Sequence, residues 1–99
     1  MKMHNPAHPG LVLKDGLGDI SVTEFAKHLG VSRVTLSRIL NGKQSITADM
    51  SLRIARALGT SDDLWFRMQN QYDLWQAQNN PKMDYSTIKP LFTPETVYA

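Results

Sequence analysis

With 99 residues, the chain has room for one compact domain, and a core of that size gains stability from self-association. Its 41% hydrophobic and 20% charged residues exclude a largely disordered chain, and its lack of cysteine excludes disulfides, thiolate zinc sites and a cysteine nucleophile. The net charge of +2 is unevenly divided along the chain. Residues 1–60 hold eight Lys or Arg and four Asp or Glu, whereas residues 61–99 hold three Lys or Arg and five Asp or Glu. The basic first part is suited to binding a polyanion, and the acidic second part to binding a different partner.

The sequence also lacks the signals of export and of membrane insertion. No apolar run approaches the roughly 18 residues that suggest a membrane span. Residues 1–10 hold no apolar stretch typical of a secretory signal. We therefore expect a cytoplasmic protein with no membrane partner.

The first two predicted helices are short and each stops at a glycine. Pro9 is suited to the first position of a helix, and leucines four residues apart follow it before Gly18 ends the segment. The second helix starts at Ser21–Glu24, which has the pattern of a capping box. It runs to Leu29 and stops at Gly30.

The third and fourth predicted helices also begin at residues that cap helices well. Ser32 precedes the third helix, which ends at Asn41 and the glycine after it. Thr47 precedes the fourth, with Asp49 near its positive N-terminus and Gly59 at its end. Apolar residues recur at helical spacing in both.

A fifth, longer helix and a tail complete the chain. The segment Thr60–Asp63 resembles a capping box and predicts a helix from Ser61 to about Asn79. After it the helical pattern fails, because prolines interrupt residues 80–99. The tail is too apolar for a plain flexible linker, so we expect it to pack, either on its own domain or on a partner. Its apolar residues are Met83, Tyr85, Ile88, Leu91, Phe92, Val97 and Tyr98.

The segment from Val22 to Asn41 has the pattern of a helix-turn-helix. Ala26 is small, as required where two helices cross closely, and Gly30 supplies the positive φ of a tight turn. The remaining positions that such a unit buries are apolar. They are Phe25, Leu29, Val31, Leu36 and Ile39.

The outward side of the third helix is polar and rich in hydrogen-bond donors, which favours a surface that reads DNA over a merely solvated helix face. Arg33 is placed to pair with guanine O6 and N7, and Val34 and Thr35 to touch base edges or a thymine methyl. Arg38, Asn41 and Lys43 are better placed for phosphates, which fix register rather than sequence. The candidate DNA-binding residues are Ser32, Arg33, Val34, Thr35, Ser37, Arg38, Asn41 and Lys43.

Several short motifs point beyond this unit to a particular family. They are His8-Pro9-Gly10; Gly30 to Arg33 with Thr35 to Lys43; Ile46-Thr47 with Leu52 to Thr60; Leu64-Trp65 with Gln69; and Tyr72 to Trp75. Through them, residues 8–79 resemble the HigA-type antitoxins of the Xre-like helix-turn-helix group. The central motif occurs in many DNA-binding repressors, whereas the first and the last two are more discriminating.

This resemblance implies an all-α fold: a five-helix, lambda-repressor-like DNA-binding domain over residues 1–79, with the helix-turn-helix at about 22–41. Residues 80–99 then form an irregular C-terminal tail that the family pattern does not match. The resemblance further implies an antitoxin that dimerises, represses its own operon at a palindromic operator in double-stranded DNA, and neutralises a small, basic, mRNA-cleaving toxin of the HigB type. A transcriptional repressor without a toxin partner is the alternative.

The fifth helix is the candidate dimer interface. One short recognition helix contacts few bases. A dimer with two-fold symmetry places two recognition helices on half-sites about 34–36 Å apart. A stripe of large side chains along this helix either forms the contact between protomers, or packs in the core of its own chain, or does both. The stripe consists of Trp65, Met68, Tyr72 and Trp75.

Enzymatic and metal-binding alternatives find little support. His4 and His8 are four residues apart, but Pro6 and Pro9 prevent them from sharing a regular helix face, and no third ligand is near. The chain has no Gly-x-Ser-x-Gly motif and no phosphate-binding glycine loop. We therefore expect a protein that is not an enzyme and that needs no cofactor or metal.

Overall fold

The computed structural model describes residues 5–92, and over that part of the chain it is all-α. His4 and the tail residues 93–99 lie outside the described residues. Over residues 5–92, no helix combines the length and the hydropathy of a membrane-spanning segment. The helices are α1 (Pro9–Gly16), α2 (Val22–Leu29), α3 (Arg33–Leu40), α4 (Ala48–Leu58) and α5 (Leu64–Gln78).

Local capping explains where the first four helices begin. The Ser21 hydroxyl accepts a hydrogen bond from the Glu24 amide at 3.1 Å, which confirms the predicted N-cap of α2. Ser32 and Thr47 cap α3 and α4 in the same way, also as predicted. At the other end, α2 and α4 stop at glycines with φ of +74°, a conformation that costs a glycine little.

The core lies where α3 crosses α1 and α2 and where α4 packs against α2 and α5. Of the apolar helix-turn-helix positions, all but Val31 are buried, and Val31 packs half-buried against them. Burying each large aliphatic side chain contributes about 1.5–3 kcal/mol to folding. The buried apolar residues are Leu13, Leu17, Phe25, Ala26, Leu29, Leu36, Ile39, Leu40, Ile46, Met50, Ile54, Ala55 and Trp65.

The His8-Pro9-Gly10 motif forms the junction between α1, α3 and α5. A Cβ at Gly10 would collide with the carbonyl oxygen of Ile39, so only glycine lets α1 approach α3 this closely. The buried His8 ring caps α1, since its Nδ1 accepts from the Gly10 amide at 2.9 Å, and it meets the Tyr72 ring edge-on at 5.0 Å. Burial lowers the pKa of His8, against the opposing effect of Asp73, and so favours the neutral ring that can accept this bond.

The fifth helix begins later than the sequence predicts, at Leu64 rather than Ser61. Its N-terminus is capped by a different helix. The buried hydroxyl of Ser51 on α4 accepts from the Phe66 amide at 3.1 Å and donates to the Asp62 carbonyl oxygen at 2.7 Å. Because this cap is a tertiary contact, the spacing of the residues around Ser61 gives no sign of it.

Replacing Ser51 with alanine should therefore lower the free energy of unfolding by about 1–3 kcal/mol, because it leaves a helix amide without its partner. Chemical denaturation measures this loss. Ser61→Ala is the matched control, since Ser61 is exposed and outside α5. Equal stabilities of the two variants would show that Ser51 does not cap α5.

The described part of the tail extends from the end of α5 without forming a helix or strand. Residues 80–92 are all exposed, and they bend in short turns around Pro81 and Ser86. Its five large apolar side chains, from Met83 to Phe92, are 49–90% exposed. This part of the tail therefore does not lie back on its own domain, and the packing partner that its composition predicts is not supplied by residues 5–79.

Candidate nucleic-acid interface

The helices α2 and α3 form the predicted helix-turn-helix. The chain turns at Gly30, and the Val31 amide bonds the Ala26 carbonyl at 3.0 Å, which closes the turn. Ala26 is buried where the helices cross, as predicted. From α4, the Arg53 guanidinium donates to the Leu29 carbonyl oxygen at 2.9 Å. This contact ties the end of α2, just before the turn, to α4.

The structure brings the predicted DNA-binding side chains together at the surface of α3 and of the loop after it. Thr35 and Ser37 are half-buried, and the other predicted residues are exposed. Val34 is 67% exposed although it is apolar, so it contributes little to the core. An exposed valine among polar neighbours is suited to contact with a thymine methyl.

Three of these residues, Ser32, Arg33 and Thr35, form hydrogen bonds within the protein itself. The Ser32 hydroxyl accepts from the Thr35 amide and donates to the Thr35 hydroxyl at 2.9 Å, so both side chains belong to the cap of α3. The Arg33 Nε donates to the hydroxyl of Thr23 on α2 at 3.0 Å. This bond leaves the two terminal nitrogens of Arg33 for a base, because guanidinium carries five N–H donors. The sequence pattern does not reveal the role of Thr23, because Thr23 lies ten residues away on another helix.

The far end of α3 is held by side chains as well. Asn41 donates to the Ser37 carbonyl oxygen at 2.9 Å and accepts from the Lys14 ammonium of α1 at 3.3 Å. The Lys43 amide bonds the Arg38 carbonyl oxygen at 2.8 Å, which fixes the start of the following loop. Lys14 is a second residue that sequence reasoning missed, since nothing in its spacing relates it to α3.

The positive charges near α3 are uncompensated. Over residues 5–92, each observed ion pair joins an arginine of α4 or α5 to a nearby aspartate. No ion pair within the described chain involves the basic side chains near α3, which are Lys14, Arg33, Arg38 and Lys43. Exposed positive charges without such pairs favour binding of a polyanion such as DNA.

The large side chains of α5 are divided between the core and the surface. Trp65 is only 7% exposed, and its indole N–H donates to the Thr60 hydroxyl at 3.0 Å, so it belongs to the core of its own chain. Met68, Tyr72 and Trp75 are half-buried, so part of each side chain is exposed and available to contact another protein surface.

The sequence of this chain is similar to those of known helix-turn-helix proteins. Residues 15–65 match the helix-turn-helix family profile. The chain is 48% identical over 79 residues to virulence-associated protein A′ of Dichelobacter nodosus, covering 76% of this chain and 68% of that protein. It is 33% identical over 90 residues to antitoxin HigA-1 of Vibrio cholerae, covering 88% and 85%.

A solved structure extends the likeness to the whole fold. The Pseudomonas aeruginosa antitoxin HigA, determined with the higBA promoter, matches with a TM-score of 0.75 at 36% identity, covering 88% of this chain and 99% of that one. The likeness confirms the all-α, five-helix fold, and the family is non-enzymatic. The chain belongs to the Xre-like helix-turn-helix family of DNA-binding proteins, which includes the HigA antitoxins.

Proposed function

We propose that this chain is a cytoplasmic antitoxin of a type II toxin–antitoxin system that also represses its own operon. The observation that carries the proposal is the likeness, over 88% of this chain, to a HigA antitoxin determined with a promoter. The exposed, uncompensated cations around α3 support the DNA-binding part independently.

In this proposal α3 lies in the major groove of the operator. Arg33, Val34 and Thr35 face base edges near the start of the helix, with Ser37 one turn later. Ser32 holds the helix start in place through its cap. The cations and amide at the far end bind phosphates and set the register; they are Arg38, Asn41 and Lys43.

A palindromic operator requires two copies of α3, and we propose that α5 joins them. The exposed parts of Met68, Tyr72 and Trp75 form the contact, and Trp65 supports it from the core. Leu74, which is exposed beside Trp75, adds apolar area. Footprinting of the chain's own promoter tests the arrangement, because two protected half-sites about 34–36 Å apart are expected. A single protected half-site contradicts a dimer on DNA.

Trp75→Ala should weaken self-association more than folding. Trp75 is half-buried within its own chain, so part of its ring is available to a partner. We expect a loss of about 2 kcal/mol in dimer formation, as for a central interface residue, with a smaller change in the free energy of unfolding. Light scattering at low micromolar concentration measures the first, and denaturation of the monomer measures the second.

Trp65→Ala is the matched control for this substitution. It removes a side chain of the same type from the core, where truncation lowers the free energy of unfolding by about 3–5 kcal/mol. A Trp75→Ala variant that stays dimeric at low micromolar concentration contradicts the placement of the interface on α5.

We propose that the second partner is a small, basic, mRNA-cleaving toxin of the HigB type. The excess of acidic residues in 61–99 and the exposed apolar side chains of the tail are suited to a basic protein partner. A repressor that acts without a toxin is the alternative, and it shares the same DNA-binding surface. Only binding to a partner separates the two.

A further inference from the structure

We propose that Lys14, on α1 and outside the helix-turn-helix, contacts a phosphate of the operator and extends the DNA interface onto α1. This inference rests on the proposed DNA-binding function and adds a contact from α1, outside the recognition helix α3. Its ligand is a phosphodiester of duplex DNA.

The position of the Lys14 ammonium is the first support. Its Nζ donates to Asn41 Oδ1 at 3.3 Å, across a separation of 27 residues in the sequence. The Asn41 amide group is itself held by its bond to the Ser37 carbonyl oxygen at 2.9 Å. The exposed ammonium is thereby held beside the end of α3, and it keeps two N–H donors for a ligand.

The cleft beside this ammonium is the second support. It lies between α3 and the connection from α1 to α2, with a volume of about 390 Å³. Of the described residues that line it, Lys14 is the one charged residue, and Ser21, Ser37 and Asn41 are polar. The other side chains of the lining are apolar: Leu17, Ile20, Val22 and Leu40. The Ser21 oxygen accepts from the Glu24 amide, so its O–H remains free to donate. An anion beside Lys14 at this cleft meets a positive charge and hydroxyl donors, and no carboxylate of residues 5–92 lines it.

The chemistry of lysine favours a phosphate over a base as the ligand. Its ammonium is a compact charge on a flexible stem, suited to a phosphate oxygen, whereas base recognition favours bidentate groups. Lys14 also flanks α3 rather than lying on it, and side chains that flank a recognition helix contact the backbone of the duplex. Asp15 and Asp19 are near in sequence but do not line the cleft and form no ion pair with Lys14.

The test is the salt dependence of binding to the chain's own promoter duplex, measured by fluorescence anisotropy with the full chain. We expect Lys14→Ala to weaken binding about 3- to 10-fold at moderate salt and to reduce the slope of log K against log salt by about one unit. Binding to an unrelated duplex should weaken by the same factor. Lys89→Ala, which removes an equal charge from the tail, is the control and should leave the slope unchanged.

Lys14→Gln separates a phosphate contact from a structural role. Glutamine can still donate to Asn41 but carries no charge, so the proposal predicts the same loss of slope as for alanine. A Lys14→Gln variant with wild-type slope and affinity overturns the proposal, because the bond to Asn41 then explains the residue. If Arg33→Ala weakens operator binding while Lys14→Ala does not, the DNA-binding function stands and the Lys14 contact is wrong. A wild-type chain that does not bind its promoter overturns both.

Discussion

Replacing Gly10 with alanine is expected to lower the free energy of unfolding by about 3 kcal/mol, because the new Cβ collides with the Ile39 carbonyl oxygen. Neither group is the end of a flexible side chain, so α1 must move away from α3 to relieve the collision. That movement also disturbs His8 and its contact with Tyr72. For a domain of this size, the expected fall in Tm is roughly 12–24 °C, measured by calorimetry or circular dichroism.

Gly16→Ala is the control for this effect. Gly16 ends α1, lacks a positive φ, and has no atom near the place where a Cβ would stand. Alanine there should leave stability unchanged or raise it by up to about 1 kcal/mol, since it restricts the unfolded chain. If Gly10→Ala behaves like Gly16→Ala, the close approach of α1 and α3 is wrong.

Arg33→Ala is expected to have the largest effect on DNA recognition. Its terminal nitrogens form no hydrogen bond within residues 5–92 while Nε donates to Thr23, an arrangement suited to bidentate pairing with guanine. We expect a loss of about 1–3 kcal/mol in operator binding and relaxed discrimination at one base pair. Competition between operators that differ at single positions measures both.

Lys43→Ala provides the contrast, since Lys43 is exposed in the loop after α3 and is proposed to bind a phosphate. It should weaken binding to all duplexes about equally and flatten the salt slope by about one unit. Arg33→Ala should instead affect the operator more than an unrelated duplex. Operator binding that neither substitution changes would show that α3 is not the reading helix.

Features that depend on nearby residues could be predicted from the sequence. The caps at Ser21, Ser32 and Thr47 each join residues three apart in the sequence. The turn at Gly30 requires only the positive φ that glycine itself can adopt. A short stretch of sequence therefore includes every residue that these features need. The identity of the helix-turn-helix followed from these local signals together with the apolar spacing of α2 and α3.

Features that depend on contacts between helices could not be predicted in the same way. The cap of α5 comes from Ser51 on α4. Thr23 accepts from Arg33 on α3, and Lys14 donates to Asn41 at the end of α3, so each bond joins residues that are distant in sequence. Periodicity placed Trp65 and Trp75 on one stripe of α5 but did not show that only Trp65 lies in the core. Sequence spacing indicates which residues share a helix face, whereas the fold decides what that face meets.

The antitoxin role is tested most directly by purifying the tagged chain from its native host and measuring the intact mass of what remains bound. We predict a stoichiometric, small, basic partner encoded beside this gene, whose mRNA cleavage the chain suppresses in a translation assay. Removal of residues 80–99 then tests whether the tail holds that partner. Recovery of the homodimer alone, from cells that express the neighbouring gene, would contradict the antitoxin role and favour a repressor that acts without a toxin.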